Sequence, residues 1–464
     1  MSGVRTCAAV AALLVALASG SVAPAAAMTP RVELPLAVTF PRPQPVIAPA
    51  ASAIVPGHVD RSSMRVRATY DVRVRLGIAA RTISGSVQIT VQNRSGAGID
   101  RLELNTVMAR LGGMTLGATT VDGTTVQPTV DDQTIIVPLG GVLPVDATAV
   151  VLVRFRATLR TSLSGSSWLF TRANGISDLY RWIPWVSRRT PFDRPNHGDP
   201  FVTPVSPSVR VTYLTDVPVV IASTGLRTAI SADRLTQVFE AVNVRDVTTA
   251  ISAYRRTSAT VGDTVVRVYY RAGAPATALL SAAKAALVKL EARLGPYPYP
   301  ILRIVQSAGG YGMEGPGVAW IPTGVDTANL TYLVTHEVAH QWFYGIVGND
   351  QAREPFADEA ITDFVARYVL GMRRASRCAT AALDRSIYGY SSSCYYEQIY
   401  IQGGNLIDNA RRKMGSTAFW AAVRGYLSDH RWGLVHTRTL LNALDDATST
   451  DLRSWWGSRF PTLY

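Results

Sequence analysis

The feature that most limits what this chain of 464 residues can fold into is a change of hydrophobic period after about Asp263. From Asp60 to Arg256 apolar and polar residues alternate in short runs, YDVRVRLGI, GSVQITVQN, TIIVPL, AVVLVRFRA and VRVTYL, separated by turn residues. Alternation at period two buries one face of a sheet and turns the other to water, and Val and Thr suit it, so this half reads as all-β. No whole unit repeats, which argues against a propeller or solenoid. Beyond Asp263 the run VVRVYYRAG reads as a strand, and ATALLSAAKAALVKLEARLG has helical spacing and stops at a glycine. PYPYP then breaks the chain before another strand, ILRIVQS, and the remainder is mainly helical. The length allows two buried cores. The expected fold class is α+β multidomain, with an all-β domain over 60–262 and a mainly helical domain over 263–464.

Residues 1–27 carry one charge, Arg5, ahead of the apolar run CAAVAALLVALASG and the small residues Ala25, Ala26 and Ala27. The pattern is that of a secretory signal peptide cleaved after Ala27, and the run is shorter than the roughly 20 residues a membrane span needs. Residues 28–59, rich in Pro and Ala, read as a poorly ordered linker. No later segment is long and apolar enough to cross a membrane, so the expectation is an exported protein of the cell envelope or medium. Cleavage removes Cys7 and leaves Cys378 and Cys394, a pair expected to form a disulfide in an oxidising compartment; two unpaired thiols is the other reading. The formal charge is +13, but only three of the 46 basic residues are lysines and the arginines form no runs. That scatter fits biased composition better than a nucleic-acid-binding stripe.

Within TANLTYLVTHEVAHQWFYG, His336 and His340 stand four residues apart. On a helix that spacing puts both imidazoles on one face, where they can share a metal ion, and Glu337 beside them can take a proton from an attacking water. A metal needs a third ligand. Glu359 in EPFADEAITDFVARYVLG sits on a second amphipathic segment, joined to the first by the turn-prone GIVGNDQAREP. Two antiparallel helices so joined bring Glu359 opposite the histidines, a His2Glu set suited to catalytic zinc, one ion per chain. Asp363, one turn further on, is placed to accept a hydrogen bond from a ligand histidine and fix its tautomer; a solvated helix carboxylate is the plainer reading.

HEVAHQW together with Glu359 resembles the zinc signature of the M1 metallopeptidases, within the gluzincins, and the order of Glu359 and Asp363 is also similar to thermolysin. YGMEGPGVAWIP resembles the family's Gly-x-Met-Glu-Asn edge strand, with Glu314 at the glutamate, and IYIQGGNLIDNARRKMG resembles the segment that carries the family's catalytic tyrosine, which falls on Tyr400. The β-rich stretch is like the family's N-terminal domain. The resemblance implies a thermolysin-like catalytic domain and an aminopeptidase acting on a peptide or protein N-terminus as a monomer. Zinc would be held by His336, His340 and Glu359, with Glu337 as general base and Tyr400 as donor to the oxyanion. Gly312 and Met313 would line the cleft, and Glu314 would meet the substrate's α-amine.

The departures from that pattern are specific. Gly315 replaces the asparagine, and GIVGNDQAREPFAD replaces a tryptophan-rich stretch between the zinc helices. The family's N-terminal domain supplies a second carboxylate for the amine. Here no glutamate lies between Glu103 and Glu240, and Asp178 is the nearby upstream acid. The chain also ends without the family's large C-terminal helical domain, which implies an open cleft. Two other functions stay open: a zinc endopeptidase or other hydrolase without amine anchoring, and a non-catalytic peptide-binding envelope protein.

Overall fold

The computed structural model describes residues 52–464; the expected signal peptide and the expected linker as far as residue 51 lie outside the described residues. The last linker residues are docked onto the β region instead of standing free. Val55 exchanges backbone hydrogen bonds of 2.9 and 2.8 Å with Val142, and the N–H groups of Val59, Asp60 and Arg61 all donate to the Asp100 carboxylate.

An N-terminal all-β region precedes a largely helical part. In the strand Val66–Gly77 every second residue is buried, and it pairs antiparallel with Thr82–Asn93 and parallel with Val209–Thr215 inside an eight-stranded sheet. Two four-stranded sheets pack against the buried side of this sheet through a shared core that includes Val72, Val87, Leu104 and Trp182. The arrangement follows from the alternation: long strands such as Val66–Gly77 keep their apolar side chains on one face, which must be buried.

The helical part is built on a five-stranded sheet in the order Arg255–Val261, Thr264–Tyr270, Ile301–Ser307, Val318–Pro322, Met313–Gly315. The first hairpin of this sheet straddles the 262/263 border, so its outer strand comes from the N-terminal side. Met313–Gly315 is the edge strand, paired on one side only with Val318–Pro322. Helix Ala276–Leu294 covers the sheet, and a second core gathers Leu287, Val338, Trp342, Phe364 and Trp420.

Two helices carry the metal motif. The histidine helix, Thr327–Ala339, starts at an Asp326 cap whose carboxylate accepts from the Ala328 N–H at 3.1 Å. It ends at His340, so the WFYG portion of the motif is a turn and not helix. The glutamate helix, Glu359–Leu370, follows a 3-10 turn at Pro355–Ala357 and stops at Gly371, whose φ of 69° is the left-handed C-cap that glycine adopts freely. After it, Cys378 and Cys394 are joined by a disulfide. The chain then forms a π-helical turn, Glu397–Gly403, before continuing as helix Gly404–Met414. No helix among the described residues is long and apolar enough to cross a membrane.

Candidate metal centre and active-site cleft

The two zinc-motif helices bring His336, His340 and Glu359 together in the interior, each under a tenth exposed. His336 Nε2 lies 3.2 Å from His340 Nε2, and Glu359 Oε2 lies 3.3 Å from the first and 3.4 Å from the second. A regular tetrahedron with bonds of roughly 2.0–2.1 Å has edges of about 3.3–3.4 Å, so these three atoms form one face of a zinc-sized site. Glu359 Oε2 is buried without a hydrogen-bond partner among the described residues, a costly state unless a cation takes it up. Burial works against ionising Glu359, yet His340 and His336 outweigh it and hold the carboxyl well below the usual range. Burial likewise disfavours charge on His340, but Glu359 and Asp358 together pull its proton affinity well above the ordinary value. The cluster is built to hold positive charge.

The tautomer of His340 is set by its surroundings. Its Nδ1 lies 3.0 Å from the Phe343 carbonyl and 3.2 Å from Asp358 Oδ1. An N–H there leaves the Nε2 lone pair facing the other two ligands. The Phe343 carbonyl, with the Asp358 carboxylate beside it, therefore stands where the sequence reading placed Asp363. Asp363 meets neither histidine: its carboxylate is taken by Arg367 at 2.6 Å and by the Tyr332 hydroxyl at 2.5 Å. The charge one turn along the same helix captures it first.

Glu337 is buried beside this triangle, and its Oε2 has no partner among the described residues. Burial pushes its carboxyl well above the usual range, with His340 pulling it back. Gly312 abuts the other oxygen, since a Cβ at that position would lie 2.1 Å from Glu337 Oε1. The glycine is what lets the edge-strand loop reach Glu337. Gly315 has a similar origin, because a side chain there would strike the Thr248 hydroxyl at 2.2 Å.

Tyr400 projects from the π-helical turn with its ring stacked 5.6 Å from the His336 ring. Two glycines let that turn approach the glutamate helix. A Cβ on Gly403 would come within 2.7 Å of Ala360 Cβ, and one on Gly404 within 2.3 Å of Arg367. Burial, reinforced by the Glu359 carboxylate, pushes the Tyr400 hydroxyl well above its ordinary value, so it remains a donor.

The edge strand delivers Glu314 to the same cleft. Its Oε1 accepts from Gln351 at 3.0 Å and from the Tyr180 hydroxyl at 3.3 Å. Burial, with Asp199 adding to it, pushes this carboxyl up to about 8. Asp199 is the carboxylate that the sequence reading missed. It comes from an irregular loop of the β region and lines the cleft. Burial raises it to about 6, with Arg194, 3.0 Å away, pulling down. Asp178, the acid singled out in that reading, does not line the cleft; it is fully buried and accepts from the Ala308 N–H at 2.8 Å. Gln351 was also missed, inside the segment that departs from the family pattern. Neither Asp199 nor Gln351 has a local sequence signal that ties it to Glu314.

This architecture is the M1 zinc metallopeptidase fold. An M1 zinc metallopeptidase from Deinococcus radiodurans matches with a TM-score of 0.66 and 20% identity, over 87% of this chain and 96% of that one. Aminopeptidase A from Legionella pneumophila matches with a TM-score of 0.68 and 14% identity over 86% of this chain. This chain covers 50% of the Legionella protein. No protein-family model and no curated protein sequence matches the chain.

Proposed function

We propose that the protein is an exported zinc aminopeptidase that releases N-terminal residues from peptides. The observation that carries this reading is a metal-sized triangle of His336, His340 and Glu359 sharing one cleft with two further carboxylates, Glu314 and Asp199, that stand outside the triangle. Zinc held by the triangle supplies a Lewis acid that polarises a carbonyl and eases ionisation of water. Glu337 takes the proton of the attacking water and passes it to the leaving amine, a role suited to a carboxyl whose proton affinity is raised by burial. Tyr400 donates to the oxygen that becomes negative as the carbonyl is attacked. The substrate backbone lies along Met313–Gly315, whose outer edge is unpaired in its sheet and can add a strand. Gly312 keeps the space beside Glu337 open.

Glu314 and Asp199 give the exopeptidase character. Two buried carboxyls with raised proton affinity are a poor environment for each other and a good one for an ammonium group, which restores the charge on both. An internal peptide bond brings no such cation. The Legionella neighbour is an aminopeptidase, and a Deinococcus structure holds the substrate Tyr-Ser-Ala, which agrees with this reading. Export is supported by the pattern of residues 1–27 and by the Cys378–Cys394 disulfide.

The test uses zinc-loaded mature protein and one peptide set in free and N-acetylated forms, read by mass spectrometry. Stepwise loss of N-terminal residues from the free peptides alone is expected. Internal cuts in both forms would establish an endopeptidase instead, and silence in both would point to a binding protein.

A further inference from the structure

The cleft has one wall that the chemistry above does not use. With the carbonyl assigned to the metal triangle and Tyr400, and the amine to Glu314 and Asp199, the side chain of the N-terminal residue must face what remains. Beside Arg194 and Met313, what remains is aromatic: Trp168, His197 and Tyr311 all line the same cleft. The Tyr311 ring centroid lies 4.7 Å from that of His197 and 6.2 Å from that of Trp168.

Three separate segments are held so as to bring these rings together. Trp168, only 2% exposed, sits in the 3-10 turn Ser167–Leu169 and forms the back of the wall. The loop before the edge strand reaches it through Gly309, where a Cβ would come within 2.4 Å of the indole. His197 is held at a φ of 68°, in the left-handed region that residues other than glycine enter at a cost. Tyr311 is 52% exposed, more than any other tyrosine, phenylalanine or tryptophan among the described residues. A tyrosine held by tilted ring contacts on one side and open to water on the other has a face left for a ligand.

The charges beside the wall favour the same class of ligand. Arg194 is largely engaged, with Nε on the Gly198 carbonyl at 3.1 Å and one terminal nitrogen shared between the His197 carbonyl at 2.8 Å and Asp199 at 3.0 Å. Burial, and then Arg194, hold the His197 imidazole below its ordinary value, so it presents a neutral ring.

We infer that Trp168, His197 and Tyr311 form the subsite for the substrate's N-terminal side chain and that it selects aromatic residues. The inference rests on the aminopeptidase reading. Its test is kcat/KM of the zinc-loaded protein on fluorogenic amides of Phe, Tyr, Ala, Arg and Asp, for the wild type, Tyr311→Ala and Tyr311→Phe. Wild type is expected to favour Phe and Tyr over Ala by at least about tenfold, and Tyr311→Ala to cut the Phe-to-Ala ratio by about tenfold. Tyr311→Phe, which keeps the ring, should preserve it. A ratio taken on one enzyme sample does not depend on how much of that sample is folded. Preference for Arg or Asp, or a Phe-to-Ala ratio that Tyr311→Ala leaves unchanged, would overturn the subsite while leaving the aminopeptidase intact. No turnover of any amide would overturn both.

Discussion

The side-chain amide of Gln351 donates to Glu314 Oε1 at 3.0 Å, and its other proton goes to Asp358 Oδ2 at 2.8 Å. Its oxygen accepts from Arg181 at 2.7 Å, and because arginine can only donate, the orientation of the amide is fixed. One residue thus joins the carboxylate proposed to hold the substrate amine to the carboxylate that faces His340. Replacing it with Met keeps the volume and removes all three bonds. Gln351→Met is expected to weaken zinc binding and raise KM together, each by about 10- to 100-fold. Chelator competition and steady-state kinetics measure the two effects, and a change in only one would mean the bridge does not couple them.

Gly312 offers a test of the base that does not touch it. Gly312→Ala puts a methyl into the space of Glu337 Oε1, where the ideal separation is 2.1 Å. Turnover should fall by about 100-fold or more, as in removal of a general base, with zinc content unchanged. Glu337→Gln should lose activity in the same way. If Gly312→Ala stays active, Glu337 is either mobile enough to give way or is not the base.

The metal triangle predicts a link between zinc and stability. The buried, unpartnered Glu359 Oε2 and the two imidazole nitrogens close to it are unfavourable together without a cation. Chelation should lower Tm, and zinc should restore it; at a concentration 100-fold above Kd the stabilisation is about 2.7 kcal/mol. His340→Ala should abolish the zinc-dependent shift. A shift that survives this substitution would place the ion elsewhere.

The parts of this site that were legible in the sequence are the local ones. His336 and His340 share a helix face because of their spacing, and the alternating runs declared the strands they form. Tyr400 and Glu314 were reached by family resemblance, although nothing in IYIQGG announces that Tyr400 sits on a π-helical turn. Asp358 escaped notice because its use depends on how the glutamate helix begins. Asp363 misled because Arg367, four residues on, could not be weighed against a distant histidine. Asp199 and Gln351 lie in irregular segments far along the chain from Glu314, with which they share the cleft or a hydrogen bond, and period and spacing carry no information at that range.

Asp178 gives a prediction about pH that is independent of the metal. It is fully buried in the strand Ile176–Leu179, and its Oδ1 has no partner among the described residues. Burial pushes its carboxyl up to about 8, with the Ala308 N–H pulling the other way. In an unfolded chain the same group titrates near ~3.9. Between those two values the folded protein keeps a proton that the unfolded chain releases, so the stability that depends on it is complete below the unfolded value. That stability is lost as pH rises toward the folded value, with a limiting slope of about 1.4 kcal/mol per pH unit. Asp178→Asn resembles the protonated form and cannot ionise. The wild type should therefore lose more Tm than Asp178→Asn between pH values of roughly 6 and 8, measured by calorimetry with zinc held constant. Parallel curves for the two proteins would mean that Asp178 is already ionised in the fold and that water or a shifted side chain reaches its second oxygen.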